Sequence, residues 1–216
     1  MLYIWFMESA EGDVSNKTPR EILEKFYADN HLDLDGGQSK SYVRIDIMPS
    51  FHMYIPNFDA RRKAVIKHDI HHLITGYETN MAGETEISMW EVASGCKKYW
   101  AAFVIDTLGA MMGFWFNLPK LLKSFARGRR TGNLYHGKYT VEQALDMRVG
   151  ELRKEFKLDQ YPKYTKPNFT DFILFCVFLG FGGIFSLLSI TALPFLVIYS
   201  IVVEIMVRLS TKPTVA

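Results

Sequence analysis

Cysteine and excess charge are both scarce in this sequence, and each scarcity excludes a class of protein. The 216 residues include only two cysteines, Cys96 and Cys176. Their wide separation offers neither a disulfide framework nor a thiolate zinc site, so a reducing compartment fits best. Twenty-five basic and 23 acidic residues leave a formal net charge of +2. This balance argues against nucleic acid as a partner, because nucleic-acid binders carry a broad basic surface.

The longest stretch without charge lies near the C-terminus. Residues 172–203 contain no Asp, Glu, Lys or Arg. A soluble domain of this size does not need so long an uncharged stretch. A membrane helix requires about 20 apolar residues, so this run suits a helical hairpin better than one tilted helix, which is the alternative. Lys163 and Lys166 precede the run, and Arg208 and Lys212 follow it. Basic residues favour the cytoplasmic side, so both ends are predicted there.

Helix signals dominate the sequence before this run. Thr18-Pro19-Arg20-Glu21 combines a capping residue, a proline at the first helical position and a glutamate at the third, which predicts a helix start. Apolar residues then recur at helical spacing in several segments. Helices are predicted at 61–77, 84–93, 98–118 and 141–158.

The fold class expected from these signals is all-α, with a C-terminal transmembrane helical hairpin. The turn of the hairpin is predicted near residues 189–194, where Ser, Thr and Pro cluster. A polar linker rich in Pro and Lys marks the boundary before it. The predicted parts are an N-terminal segment with one short helix (1–55), a helical metal-binding domain (56–160), the linker (161–171) and the membrane hairpin (172–209).

The metal assignment begins with His68-Asp69-Ile70-His71-His72, followed by eleven residues and then Glu84. At about 100° per residue, His68 and His72 project from one helix face, so both imidazoles can reach one ion. Asp69 borders that face. His68, His71 and His72 together span the same arc around the helix as His68, Asp69 and His72, so the spacing leaves Asp69 and His71 as alternative ligands. Glu84 can add a ligand from the next helix. Imidazole and carboxylate donors suit Zn²⁺, Fe²⁺ or Mn²⁺. A histidine-rich helix satisfied by solvent or by the core is the non-functional alternative.

The same pattern resembles the metal motif of the ubiquinone (coenzyme Q) biosynthesis family formed by the fourth yeast Coq protein and its bacterial relatives. The resemblance covers roughly residues 60–158, while the first 55 residues and the apolar tail depart from it. It implies that His68, Asp69, His72 and Glu84 hold one divalent metal and that His71 lies outside the site. Further matching segments are Leu73-Ile74-Thr75-Gly76-Tyr77, Asn80-Met81-Ala82-Gly83-Glu84, Trp90-Glu91-Val92-Ala93, Gly128-Arg129-Arg130, Asn133-Leu134-Tyr135 and Leu152-Arg153-Lys154-Glu155-Phe156.

What the resemblance implies about function is a lyase of ubiquinone biosynthesis. The expected reaction is the metal-dependent decarboxylation of a polyprenylated 4-hydroxybenzoate-derived intermediate. This decarboxylation is either oxidative or non-oxidative. Zinc is the first choice of metal, with iron or manganese as alternatives. The expected partners are membrane lipid, the prenylated precursor, other ubiquinone-biosynthesis proteins and, as an open option, a second copy of the chain. The expected location is the cytoplasmic side of a bacterial inner membrane or the matrix side of the mitochondrial inner membrane.

Two other functions compete with this expectation. One is a non-catalytic scaffold or lipid-binding protein that organises a ubiquinone-biosynthesis complex, in which case the metal would be structural. The other, a minor alternative, is a membrane-bound metal-dependent hydrolase, for which His52 and Asp106 would supply further ligands. An open coordination position favours the enzyme over the scaffold.

A local basic cluster follows the apolar stretch 107–118. It contains no acidic residue, and on a membrane protein such a cluster binds anionic headgroups or a substrate carboxylate. An ordinary solvated helix face is the alternative. The cluster comprises Lys120, Lys123, Arg127, Arg129 and Arg130.

Overall fold

The computed structural model describes residues 14–29, 39–48 and 51–210. Most of this part of the chain is helical, as the sequence predicted, and it also holds one two-stranded antiparallel sheet. The helices are α1 (Pro19–Asp29), α2 (Asp59–Thr75), α3 (Met81–Ser94), α4 (Trp100–Met112), α5 (Leu118–Gly128), α6 (Val141–Asp146), α7 (Val149–Glu155), α8 (Phe169–Ser189) and α9 (Leu193–Ser210). The strands are β1 (Tyr42–Met48) and β2 (Phe51–Pro56).

Helix α1 begins with the predicted capping box. The amide of Thr18 donates to Glu21 Oε2 at 2.9 Å, and the amide of Glu21 donates to Thr18 Oγ1 at 3.3 Å. Two backbone donors that a helix start leaves unpaired are thereby satisfied. Ile22 and Leu23 are buried in the main core, so this helix belongs to the domain.

The sheet is a small β element that was not predicted from the sequence, in a structure whose helical content is consistent with the predicted all-α class. Val43 pairs with Ile55 and Arg44 with Tyr54 across the two strands. A two-stranded hairpin is marginally stable by itself. Here it packs on α9, where the amide of Tyr54 donates to Ser200 Oγ at 3.0 Å. The contact joins residues far apart in the chain, which local sequence patterns do not reveal.

The main core lies between α1, α2, α3, α6 and α7. Its buried members include Ile70, Trp90 and Leu152, which are 0% exposed. The predicted single helix over 141–158 is two short helices, because Met147 is extended (φ −76°, ψ 151°). The predicted helix over 98–118 likewise ends at Met112, and Pro119 opens α5 rather than closing α4.

Helices α3 and α5 pack closely through Gly128. A Cβ atom at this position would lie 2.6 Å from the carbonyl oxygen of Trp90 and 2.7 Å from Cβ of Ala93. Only glycine therefore permits this approach. Helix α3 is held between α2, α4 and α5, and this fixes the direction of its polar side chains.

The predicted membrane hairpin is not formed. Ser189, Ile190 and Leu193 all have right-handed helical dihedrals, so α8, a short 3-10 turn (Ile190–Ala192) and α9 follow one another as one apolar helix from Phe169 to Ser210. This helix is long and apolar enough to cross a membrane by length and composition. The Ser, Thr and Pro residues of the predicted turn do not break this helix. The proline lies in the first turn of α9, where a proline is tolerated because its missing N–H would have no partner.

Candidate metal centre

Three ligand-type side chains from α2 and α3 converge on one point. His68 Nε2 lies 3.1 Å from His72 Nε2 and 3.4 Å from Glu84 Oε2. His72 Nε2 lies 3.3 Å from Glu84 Oε1. The two histidines are one turn apart on α2, and Glu84 reaches them from the first turn of α3. The structure thus brings together three of the four residues predicted to bind the metal.

The turn between α2 and α3 sets the tautomer of His72. Gly76 ends α2 in the left-handed conformation (φ 74°), and the chain then reverses so that the carbonyl of Tyr77 accepts from His72 Nδ1 at 3.0 Å. Because Nδ1 carries the proton, Nε2 presents its lone pair to the centre. Glycine is needed at position 83, where the chain leaves the turn and enters α3, since a Cβ atom there would lie 2.0 Å from the carbonyl oxygen of Glu78.

The spacing of the donors fits one divalent ion. Metal–ligand bonds of about 2.1 Å with angles of 90–110° place neighbouring donor atoms roughly 3.0–3.4 Å apart. The distances of 3.1, 3.3 and 3.4 Å among His68, His72 and Glu84 match this range. Two imidazole lone pairs and a carboxylate that face one another repel unless a proton or a cation lies between them. The donor set and its spacing therefore fit the metal that the sequence motif implies.

The centre is open on the side of Glu84. The side chain of Glu84 is 40% exposed, whereas those of His68 and His72 are 23% and 6% exposed. A metal held by these three groups would keep coordination positions towards solvent. Open positions are typical of catalytic rather than structural sites.

A second carboxylate, Glu91, supports the histidines from behind. Glu91 Oε2 lies 3.1 Å from His68 Nδ1, and Glu91 Oε1 lies 2.5 Å from His71 Nδ1. A carboxylate at Nδ1 fixes the proton there and leaves His68 Nε2 free for the centre. His71 also accepts from the amide of Leu134 through Nε2 at 3.0 Å. Both ring nitrogens of His71 are therefore used within the protein interior.

Asp106 and Cys96 extend the network beyond Glu91. Possible ligand atoms of His68, Glu91 and Asp106 lie within 4.8 Å of one another. The thiol of Cys96 donates to Asp106 Oδ2 at 3.8 Å. Asp106 is 2% exposed and Glu91 is 0% exposed. Two carboxyl groups buried side by side are stable only if one of them holds a proton.

The pKa directions agree with this arrangement of charge. Burial and the negative charge of Glu91 raise the pKa of Asp106 well above its usual range, which assigns the shared proton to Asp106. Burial opposes ionisation of Glu91, but the positive charge of His68 and the hydrogen bonds of both histidines outweigh it and hold the pKa of Glu91 well below normal.

The two groups that face each other across the centre are shifted in opposite directions. Burial disfavours a charged His68, yet the charge of Glu91 and the hydrogen bonds to Glu84 and Glu91 prevail and raise the pKa of His68 well above normal. Burial likewise opposes the charged form of Glu84, but hydrogen bonds to His68 and His72 lower its pKa strongly. Without a metal, a proton on His68 therefore occupies the place of the cation.

Asp69, the fourth predicted ligand, is partly buried on α2. It is not among the described residues whose possible ligand atoms lie within 4.8 Å of one another. Its role as a ligand, which the family resemblance implies, stays a prediction. Glu91 and Asp106 were not assigned to the site from the sequence. The seven-residue spacing of Glu84 and Glu91 was the available signal, since it places both on one helix face.

The predicted basic cluster is largely paired within the protein. Arg127 is 4% exposed and donates to the carbonyls of Tyr161 (2.9 Å) and Thr75 (2.8 Å). Arg129 and Arg130 both contact the buried carboxylate of Asp171 at 2.5 Å, which ties α5 to the start of α8.

The two remaining members of the cluster are lysines near a tyrosine ring. Lys120 lies 3.6 Å from the buried Glu86. Lys120 and Lys123 also lie 5.7 and 5.6 Å from the ring centre of Tyr164. These two lysines are therefore the members most able to meet a headgroup or a substrate carboxylate, while the three arginines stabilise the fold.

The extra ligands considered for a hydrolase separate in the structure. Asp106 joins the network behind the centre, as described. His52, on β2, instead lies 3.1 Å from Glu204 of α9. His52 belongs to neither of the two groups of possible metal ligands among the described residues.

Comparisons with protein-family models, with characterised proteins and with solved structures gave no match. The resemblance to the ubiquinone-biosynthesis family therefore rests on the sequence motifs alone and stays a prediction. The geometry of the centre stands independently of it, because it follows from the positions of α2 and α3.

Proposed function

We propose that this chain is a membrane-attached, metal-dependent protein of ubiquinone biosynthesis that decarboxylates a polyprenylated 4-hydroxybenzoate-derived intermediate. The observation that carries the proposal is the convergence of His68 Nε2, His72 Nε2 and the Glu84 carboxylate at 3.1–3.4 Å. The motif resemblance supplies the substrate class, and the open side at Glu84 favours a catalyst over a scaffold.

His68, His72 and Glu84 would hold the ion, with Asp69 as the fourth ligand that the resemblance implies. Zinc is our first choice, with iron or manganese as alternatives, since the donors include no thiolate. Such an ion supplies Lewis acidity, which stabilises the negative charge that develops on a substrate as a carboxylate leaves. Glu91 holds His68 in the ligating tautomer, and Tyr77 does the same for His72 through its carbonyl.

The proposed membrane attachment rests on the long apolar helix. In its middle, Ile184, Leu187 and Leu188 are 63%, 68% and 65% exposed, which costs free energy in water. Its first part instead packs on α4, where Phe103 lies 6.1 Å from Phe181, measured between ring centres. We place the exposed middle of this helix in lipid.

An exposed apolar rim follows α4 and suits a prenyl tail. Met112, Trp115 and Phe116 are 53%, 85% and 57% exposed just before α5. A prenyl chain lying against α4 and this rim would remain in contact with lipid while its aromatic head reaches the open side of the centre. The substrate would then not have to leave the membrane.

The test is the lipid content of a strain that lacks the protein. A carboxylated prenyl-phenol should accumulate, and the intact chain should restore the quinone. Asp69→Asn and Glu84→Gln should fail to restore it while the protein remains folded and its membrane level stays near that of the intact protein. A folded, metal-free variant that restores normal quinone would refute catalysis. Loss of quinone together with loss of the folded protein would support a scaffold with a structural metal.

A further inference from the structure

A cleft that contains several lysines lies on another face of α2. It has a volume of about 290 Å³ and lies between α2, the turn that precedes α4 and the segment that precedes α6. Its described lining includes no Asp or Glu. The polar lining residues that matter here are Lys63, Lys67, Lys98, Tyr99, Lys138 and Thr140.

Lys67 is the most unusual of these side chains. It is only 3% exposed, and its Nζ lies 5.4 Å from the ring centre of Tyr99. In the described part of the chain its ammonium has no ion pair and no hydrogen bond. Its Nζ is not one of the fully buried side-chain atoms that lack a partner, so the ammonium faces the cleft while the stem of the side chain is buried. The tyrosine ring adds a cation–π contact.

The neighbouring lysines add to the unbalanced charge. Lys63 precedes Lys67 by one helical turn, and like charges at this spacing repel each other. Lys98 reaches the cleft from the turn before α4 and, like Lys63, has no carboxylate partner among the described residues. Lys138 differs, because Glu155 pairs with it. Three lysines that have no carboxylate partner among the described residues therefore line one small cavity.

We propose that this cleft binds the phosphate or diphosphate group of a small molecule. A phosphoryl dianion offers several acceptor oxygens and balances the three lysines better than a single carboxylate does. The hydroxyls of Tyr99 and Thr140 are further donors at the wall of the cleft. The cleft is separate from the metal centre, because Lys67 and His68 project about 100° apart on α2. Lys67 faces Tyr99, whereas His68 faces Glu84 and Glu91.

The direct test is a calorimetric titration of the purified full-length chain with inorganic phosphate and with pyrophosphate. We expect saturable binding of one pyrophosphate per chain, accompanied by a higher melting temperature. Lys98→Gln and Lys67→Met should each weaken this binding by about tenfold, because each removes one charge-assisted contact. Lys154→Gln, which removes an exposed lysine from α7 outside the cleft, is the matched control and should not change it.

Lys98 lies on the surface, so its variant keeps the test valid even if Lys67→Met does not fold. Absence of saturable binding, or equal weakening by Lys98→Gln and Lys154→Gln, would overturn the proposal. Binding should persist in His72→Ala. Its loss there would mean that pyrophosphate binds at the metal centre, which would also overturn the proposal.

The source of the phosphate is decided by a competition experiment. Phosphatidylcholine vesicles with and without phosphatidic acid are added to the protein–pyrophosphate complex. Displacement only by vesicles with phosphatidic acid, and reduced affinity for them in Lys98→Gln, would support a lipid headgroup as the ligand. Persistence of pyrophosphate binding in both mixtures would support a water-soluble phosphorylated molecule.

Discussion

Glu91 Oε2 lies 3.1 Å from Nδ1 of His68, on the opposite side of the imidazole from the point where His68 meets His72. One carboxylate of α3 thus orients a proposed metal ligand without facing the open side of the centre. Carboxylate groups at this place in metal sites fix the tautomer of the ligand and raise its basicity.

We therefore predict that Glu91→Gln weakens metal binding by roughly 10- to 100-fold. The matched control is Glu86→Gln on the same helix. Glu86 is equally buried but contacts Asn117 at 3.2 Å and Lys120 at 3.6 Å instead of a histidine. Competition with a chromophoric chelator measures the affinity. Equal affinities in the two variants would contradict the supporting role of Glu91.

The two neighbouring histidines should respond differently to substitution. His72→Ala should remove the metal from the purified protein, whereas His71→Ala should retain it. His71→Ala should instead lower the free energy of unfolding by about 3 kcal/mol, because it leaves the buried Glu91 and the amide of Leu134 without a partner. Elemental analysis and denaturant unfolding together separate the two effects. Retention of metal by His72→Ala would contradict the assigned ligands.

Metal binding should strengthen as the pH rises. The proton held by His68 must leave before its Nε2 can bind a metal, so each pH unit below the raised pKa of His68 should cost up to about tenfold in affinity. Chelator competition at several pH values measures this dependence. His136→Gln, at a histidine bound to the carbonyl of Ser94, should leave it unchanged. An affinity independent of pH would show that His68 is not a ligand.

The stability of the metal-free protein should fall at high pH, whereas metal binding strengthens there. The raised pKa of His68 contributes stability that is complete below about pH 6.5 and is lost as the pH rises through that pKa. The lowered pKa values of Glu84 and Glu91 contribute stability above about pH 4.5, which is lost as the pH falls. Melting temperatures after chelation should therefore peak between these limits. A peak well above pH 8 would contradict the charged His68.

Membrane attachment should depend on the exposed middle of the apolar helix. Ile184→Lys with Leu187→Lys should shift the protein to the aqueous fraction, because each lysine at mid-membrane costs about 3 kcal/mol. Helix packing should persist, since these side chains face away from the domain. Phe175→Lys is the contrasting variant and should unfold the protein, because Phe175 is 3% exposed between α5 and α8. An unchanged membrane fraction would refute this attachment.

Much of the local structure could be predicted from the sequence. The capping box at Thr18 and Glu21, the helical spacing of His68 and His72, and the apolar run after residue 171 are all short-range features. Such features depend on backbone sterics and on side chains within one or two turns, which a sequence shows directly. They were sufficient to predict a mostly helical chain and one pair of converging histidines.

Only the tertiary structure decided which groups complete the centre and how the apolar run is arranged. Glu91 and Asp106 reach His68 because α3 packs between α2 and α4. The spacing of residues along the sequence does not show which helix faces pack against each other. Arg129 and Arg130 of the basic cluster are paired within the protein because Asp171 lies beside them. The expected hairpin is a continuous helix supported at one end by α4 and α5 and at the other by β2. Such contacts join residues distant in sequence, so their free energy becomes visible only when the chain is folded.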